Sequence, residues 1–510
     1  MKIARTNNAT RNMFWGIINK IVTLLVPFIC RAAIIQIFGI NYIGLNSLFT
    51  SILSTLNLAE LGFGSAVVFF MYKAVAEDDN KTICELLAFF KNVYRVVGSV
   101  ILVLGLCLIP FLKYFINADV PEDINIYIIY IITLLSTVMS YFLFSYMGCV
   151  LNATQRNDVV LNISTIVNIF EKTVQLVAIF LFRNYYIYIG IILLAGILNN
   201  LLTKMFVNKM YPDYKPYGKL SKEYRAEIRK KIYGLFMYKI GNIISGSADT
   251  IVISSFLGLS ILGKYGNYYF VISTLFGILS IFYSAIRAGI GNSLVVETRE
   301  KNLHDFKVLQ FMQNWIVCWC TVCLFTLFQD FIGIYAGDKN KLSFGMVIIF
   351  CAYFWAWKIQ DIVAVYKEAA GVWNQDKYRT IISALANLTL NIISVRFIGL
   401  YGVLLSTVLS CVVIDMPWAT RVLFKNCFDK GMKDYFLMLL KSIIETTALC
   451  AVTYFACSFI SFNSRIFTLF TKAFVCLILP NALYILFNHR SSEFKESILR
   501  IKAILKIRGR

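Results

Sequence analysis

The chain has 510 residues, 59% of them hydrophobic and only 15% charged, with a mean hydropathy of +0.70. Soluble globular proteins carry about 25% charged and roughly 45–50% apolar residues, so a soluble fold of this length is excluded and a polytopic membrane protein is required. The net charge of +21 is spread over short segments between apolar runs, which is the pattern of membrane orientation and not of nucleic-acid binding.

Lys2, Arg5 and Arg11 precede an apolar stretch from Met13 to about Phe38. It is too long for a signal-peptide core, lacks a small-residue cleavage site, and is expected to form the first span. Further apolar windows of about 20 residues or more predict spans near 42–70, 84–112, 124–148, 159–182 and 184–208. The second half gives 233–257, 261–290, 308–335, 342–366, 379–398, 400–424, 436–461 and 465–488, which makes fourteen spans in all. Phe397-Ile-Gly-Leu-Tyr-Gly402 predicts a tight glycine turn between two of them.

Loop charge alternates. Segments 1–12, 72–83, 204–232, 299–307, 367–379, 421–433 and 490–510 hold most of the loop Lys and Arg, whereas Ile116–Asp123 holds only acids. The positive-inside rule therefore predicts a multi-pass membrane protein with both termini in the cytoplasm. The basic run KLSKEYRAEIRKK, Lys219 to Lys231, is expected to be a linker lying on anionic membrane lipids, each base contributing about 1 kcal/mol there.

The two halves resemble one another. Gly39-Ile-Asn-Tyr-Ile-Gly44 matches Gly258-Leu-Ser-Ile-Leu-Gly263 at an offset of 219 residues, and the same offset relates Lys20 to Lys239 and Phe63-Gly-Ser-Ala66 to Phe282-Tyr-Ser-Ala285. Gln155-Arg-Asn-Asp158 and Gln375-Asp-Lys-Tyr378 differ by one more residue. An even number of spans separates the two starts, so the repeats run parallel, as in two-lobed secondary transporters. The expected fold is all-α and polytopic: a six-helix lobe over 1–210, a basic linker over 211–232, and a second six-helix lobe over 233–426. Two extra helices over 427–490 and a basic tail over 491–510 complete it.

Thirteen cysteines and two histidines offer little chemistry. Cys318, Cys320 and Cys323 fall in WIVCWCTVCLF with no second ligand pair, so they are expected to be small buried hydrophobes, with no metal and no cofactor implied. His304 and His489 lie beside charged segments, and no Walker-type glycine loop exists. A membrane glycosyltransferase or polymerase would need a large external loop or a cytoplasmic catalytic domain, and the span map leaves room for neither. A transporter is expected, not an enzyme.

Charges inside apolar helices cost roughly 2.5–3.5 kcal/mol each on insertion scales and normally face a watery cavity or one another. Lys20 and Arg31 are eleven residues apart and share a face of the first span. With Arg95, Lys239, Arg287 and Lys358 they form the candidate cationic cavity, suited to phosphate or acidic sugars. Lys91, Lys204, Arg287 and Arg421 lie near span ends, where snorkelling is the competing role. The acids are Glu60, Glu171, Asp249, Asp361 and Asp415. Glu171 can pair with Lys172, and Asp361 with Lys358 at i, i+3. Asp249, Glu60, Asp361 and Glu171 are the candidates for binding H⁺ or Na⁺. Asp249 aligns through the repeat with Cys30, beside Arg31.

The block RTNNATRNMFWGIINKIVTLLVPFICRAAIIQIFGINYIGLNSLFTSIL, followed by LNLAELGFGSAVVFFMYKAVAEDD, resembles Wzx-type polysaccharide flippases. The stretch AGVWNQDKYRTIISALANLTLNIISVRFIGLYGVLLSTVLS is similar to their second-lobe pattern. These belong to the multidrug/oligosaccharidyl-lipid/polysaccharide exporter superfamily. The resemblance implies two six-helix lobes, often with two extra helices, a cationic cavity, and alternating-access transport of an undecaprenyl-pyrophosphate-linked oligosaccharide. It further implies a place in the bacterial cytoplasmic (inner) membrane and work beside glycosyltransferases and a polymerase in capsule, O-antigen or exopolysaccharide assembly. A multidrug exporter and a peptidoglycan-precursor flippase are the alternatives, and the basic excess within the spans speaks against a carrier of cationic drugs.

Overall fold

The computed structural model describes the backbone of residues 5–57, 63–118 and 120–507, and the side chains there except at 5–10, 13, 17, 63–67, 230–245, 288, 373–374, 377 and 503–507. Among the described residues the fold is helical throughout, without strands. Contacts divide it into two compact units, residues 1–263 and 264–510.

In the first unit the chain runs α1 (Arg5–Ile37), α2 (Ile40–Leu56), α3 (Phe63–Ala76), α4 (Asn80–Leu108), α5 (Ile126–Phe142), α6 (Gly148–Ala153), α7 (Asn157–Phe182), α8 (Tyr185–Met210) and α9 (Lys222–Leu257). Short polar side chains start several of these helices by accepting otherwise orphaned backbone N–H groups. Asp79 accepts from Thr82 N at 3.0 Å, Asn125 from Tyr127 N at 2.9 Å, and Asn184 from Tyr186 N at 2.9 Å. Each such cap contributes about 1 kcal/mol. Helix α1 packs along α7, where the Asn19 amide donates to Thr165 Oγ1 at 3.0 Å.

The basic run expected to be linker is largely helix. Ser221 Oγ accepts from Tyr224 N at 3.1 Å, and α9 starts at Lys222. Lys, Glu, Arg and Ala are strong helix formers, so the charge that suits a membrane surface suits a helix equally well.

Helix α10 (Leu259–Val296) begins in the first unit and runs into the second. It follows α9 across Gly258, at φ 88° and ψ 173°, and α2 follows α1 across Gly39, at φ 109° and ψ 174°. This backbone region is essentially closed to residues with a Cβ. Asn117 N donates to Ser254 O at 3.2 Å and its amide to Phe256 O at 2.9 Å, tying the loop after α4 to the end of α9.

The second unit continues with α11 (Arg299–Tyr335), α12 (Phe344–Lys358), α13 (Asp361–Ala370), α14 (Trp373–Ile398), α15 (Leu400–Ser410), α16 (Met416–Leu423), α17 (Lys433–Ser458), α18 (Arg465–Asn488) and α19 (Ser492–Ile507). The expected glycine turn joins α14 to α15, with Gly399 at φ 58°. Helix α11 packs against α12, α17, α18 and α19. Cys318, Val322, Leu449, Cys450 and Tyr484 form one apolar cluster there. Trp315 Nε1 donates to Asn481 Oδ1 at 2.8 Å and Trp319 Nε1 to Cys476 O at 2.9 Å, so the polar edges of both indoles are satisfied inside the seam.

Eleven described helices are long and apolar enough to cross a membrane, and α5 with its bent continuation to Ala153 makes a twelfth. Of the two remaining expected spans, 42–70 falls on α2–α3 and passes through residues 58–62, which lie outside those described, and 233–257 falls on α9, whose side chains up to residue 245 lie outside them.

Candidate functional site

In the first unit, charge gathers where α1, α7 and α8 meet. Lys172 Nζ lies 2.6 Å from Glu171 Oε1 and donates to Gln175 Oε1 at 2.9 Å. Gln175 is fully buried, and its amide donates to Tyr188 O at 3.2 Å. Cys30 Sγ contacts the Lys172 carbonyl at 3.9 Å, which fixes α1 against α7 at this level. Arg31 and Glu171 both lie within electrostatic reach of Tyr188. Two candidates far apart in sequence thus share one locus, and Glu171 is partnered by its neighbour as expected.

Lys20 is half-buried three turns earlier on α1, with its carbonyl taking the Thr23 hydroxyl at 3.2 Å. Arg95 is exposed on α4. Asp249 is 5% exposed on α9, two residues after Ser247, whose hydroxyl meets Ser54 of α2 at 3.0 Å. Glu60 and the Lys239 side chain lie outside the described residues.

In the second unit the candidates collect at the break between α12 and α13. Lys358, 9% exposed, sits 2.7 Å from Asp361 and 4.3 Å above the ring of Phe276. The break frees backbone carbonyls that water would otherwise satisfy. Gln313 Nε2 donates to Lys358 O at 2.6 Å, and Gln310 Nε2 donates to Ile359 O at 2.9 Å. Tyr283 donates to Gln313 Oε1 at 2.9 Å and completes a polar shell around the pair. Arg287 is half-exposed on α10 and pairs with Glu368 at 2.8 Å, so it is an ion-pair member rather than an isolated base.

A second network was not singled out from the sequence. Lys367 Nζ lies 2.5 Å from Asp376 Oδ2, while Arg379 holds Asp376 through two nitrogens at 2.8 and 3.0 Å. Arg379 also bonds Asp415, which accepts the Ser383 hydroxyl at 2.5 Å. Asp415 ends a π-helical turn over Cys411–Asp415, and turns of this kind recur at functional sites. Two acids and two bases leave the network neutral. Asp415 was visible as a charge within a span, but its partners Arg379 and Ser383 come from α14, 36 and 32 residues earlier, so no local spacing announces them.

Among the described residues, Glu171, Asp361, Asp376 and Asp415 each lie against a base, at Lys172, Lys358, Lys367 and Arg379 respectively. Among solved structures, the chain is similar to the lipid II flippase MurJ in its inward closed conformation, with TM-score 0.67 and 16% identity over 94% of this chain and 99% of that one. It is also similar to an inward-facing multidrug-resistance MATE transporter of the MOP superfamily, with TM-score 0.61 and 12% identity over 80% of this chain and 99% of that one. A bent-form MATE transporter of Vibrio cholerae gives TM-score 0.51 and 12% identity over 82% and 98%. The fold is that of the MurJ and MATE transporters. No family model and no curated protein matches the sequence.

Proposed function

We propose that the protein is a flippase that moves an undecaprenyl-pyrophosphate-linked oligosaccharide across the cytoplasmic membrane by alternating access. The observation that carries this reading is the MurJ likeness over 94% of the chain, against 80% for the MATE transporter. More of the sequence finds a counterpart in a carrier of a lipid-linked saccharide than in a drug exporter. Lys20, Arg31, Arg95, Lys239, Arg287 and Lys358 supply the attraction for pyrophosphate or acidic sugars. The cargo is a surface-polysaccharide repeat unit, which the N-terminal block supports, and glycosyltransferases and a polymerase are the partners that would make and consume it. The MurJ likeness favours a second cargo of the same chemistry, the peptidoglycan precursor lipid II.

Complementation separates the two. Expressed in a host lacking its repeat-unit flippase, the protein should restore surface polysaccharide; in a host depleted of its lipid II flippase, it should not restore growth. Growth rescue alone would assign lipid II, and rescue of neither host would remove both readings.

Coupling is proposed to pass through Asp249, with Glu60, Asp361 and Glu171 as the other carboxylates that take H⁺ or Na⁺ in one state only. Asp249→Asn should bind substrate in reconstituted vesicles yet lose stimulation by an imposed ion gradient. Stimulation that survives would move the role to another of the four.

A further inference from the structure

One span of the first unit is broken in a strained conformation. Helix α5 ends at Phe142, and the span resumes at Ser145 with a bend of 47°. Between them Phe144 sits at φ 60° and ψ 11°, in the left-handed region that bulky side chains rarely adopt. Ser145 then opens a single right-handed turn that ends at Met147. A left-handed residue followed by a right-handed one aims successive backbone N–H groups at a common point and forms an anion-binding concavity. The N–H groups of Phe144, Ser145 and Tyr146 have no acceptor among the described residues. Phe144 and Ser145 are only half-buried, so a ligand can reach them. Non-helical backbone at membrane depth is tolerated where it lines a polar site or is covered by protein.

Three bases stand at this break. Lys204 Nζ of α8 lies 3.7 Å above the Phe144 ring, and Arg95 of α4 is within electrostatic reach of the Tyr146 hydroxyl. Lys91 precedes Arg95 by one turn on the same helix face. Lys91 and Lys204 are half-buried, and none of the three has an ion pair among the described residues. Helices α5, α6 and α8 contain no acid, and the one acid of α4, Glu85, packs against Gly218. The internal repeat sharpens the contrast. Its offset of 219 residues takes Ser140 to Ile359, and each of these carbonyls, at the break in its unit's fourth span, is capped by a side-chain amide. Asn200 donates to Ser140 O at 3.3 Å and Gln310 to Ile359 O at 2.9 Å. The same offset takes Lys91 and Arg95 to Gln310 and Asn314, which are neutral and bond one another at 2.9 Å. Asp361, which balances Lys358 at the second break, falls on Phe142 at the first. One break is neutral and braced; the other is cationic with open N–H groups.

We propose that the break between α5 and α6 binds the diphosphate of the lipid-linked cargo, through the N–H groups of Phe144, Ser145 and Tyr146 and the side chains of Lys91, Arg95 and Lys204. The identity of the anion rests on the cargo proposed above; the site itself rests on the backbone and the unpaired bases. The Phe144 ring holds the Lys204 ammonium beside the open N–H groups, so charge and hydrogen-bond donors are in place before the anion arrives. Lys91 and Lys204 then serve the substrate and are not snorkelling ends.

The test is native mass spectrometry of the purified full-length protein offered undecaprenyl pyrophosphate, alone and against an equal amount of phosphatidylglycerol. Lys91→Gln and Lys204→Gln should each weaken retention of undecaprenyl pyrophosphate about tenfold, as the loss of one charge-assisted hydrogen bond does. Lys91→Arg and Lys204→Arg should keep most of it, and Lys219→Gln with Lys222→Gln, in a different basic segment, should leave it unchanged. Unchanged retention in both single glutamine variants would overturn the site and leave the cargo reading standing. Displacement by phosphatidylglycerol would make the break an ordinary phospholipid-headgroup site and likewise overturn the inference. A wild type that retains no undecaprenyl pyrophosphate would remove the cargo reading and this inference with it.

Discussion

Gly44 and Gly263, 219 residues apart, are each pressed against the backbone carbonyl that begins the other's helix. A Cβ on Gly44 would overlap the Leu259 carbonyl, with its carbon at 2.9 Å, and a Cβ on Gly263 would overlap the Ile40 carbonyl. Ile40 opens α2 and Leu259 opens α10, so the contact is reciprocal: repeat-related positions exchange repeat-related partners. Gly39 and Gly258, just before these starts, share one backbone conformation. The sequence repeat is therefore also a structural one at this point, built on a helix approach that only glycine permits.

Backbone on the receiving side leaves nowhere for an added methyl to go. Gly44→Ala and Gly263→Ala should each destabilise the protein by about 1–3 kcal/mol, as overpacked interiors do. Gly190→Ala and Gly196→Ala, where an added Cβ meets nothing within 4 Å, should be neutral or slightly stabilising. Thermal unfolding in detergent followed by fluorescence size exclusion checks both. Equal behaviour of the two pairs would show that the contact relaxes freely.

Arg31 stands at the junction of α1 with the Glu171–Lys172 pair, where charge rather than shape is the expected requirement. Arg31→Lys should keep most surface polysaccharide at normal protein levels, and Arg31→Ala should cut it sharply. Normal export by the alanine variant would place Arg31 among the residues that merely hold the bundle.

How much of this was legible in the sequence follows from distance along the chain. Apolar windows placed the spans because twenty apolar residues have one stable use in a membrane. The Glu171–Lys172 and Lys358–Asp361 pairs were legible because neighbours on a helix are bound to meet. Gln310 and Gln313 were not, because the carbonyls they cap lie 49 and 45 residues away, at a break with neither Gly nor Pro to mark it. Asp376, Arg379 and Asp415 likewise become a network only when α14 packs on the helices after it. The start of α9 was missed for a different reason: basic residues serve a linker and a helix alike.

The basic tail makes a pH-dependent contact. Glu496 of α19 faces His304, and Arg500 reaches Asp305 and Glu496. Burial alone would raise the Glu496 carboxyl, but hydrogen bonds from Arg500 and His304 outweigh it and hold the group below its usual range. A depressed carboxyl stabilises the folded form at pH above its unfolded value, near 4.3, and that contribution is lost as pH falls through the depressed value. Proteolytic release of the tail should therefore be flat from about pH 7 to 5 and rise below about pH 4. Glu496→Gln should release the tail more readily at neutral pH and flatten the acid rise. A wild-type profile already rising at pH 6 would assign the contact to another group.

The Lys358–Asp361 pair separates a structural role from a transport role. Both groups are largely buried, and Lys358 also rests on the Phe276 ring. Removing one partner of a buried pair costs about 3–5 kcal/mol because it strands the other charge, whereas replacing both is often close to neutral. Lys358→Met alone should lower the yield of folded protein, and Asp361→Asn added to it should restore that yield. Were the pair only a brace for the break between α12 and α13, transport would return with the fold. If Lys358 supplies charge to a pyrophosphate-bearing substrate, the double variant should be folded, monodisperse and inactive. Inactivity of the restored protein in vesicles carrying a fluorescent lipid-linked saccharide is the expected result, and full transport would remove Lys358 and Asp361 from the substrate and coupling sets together.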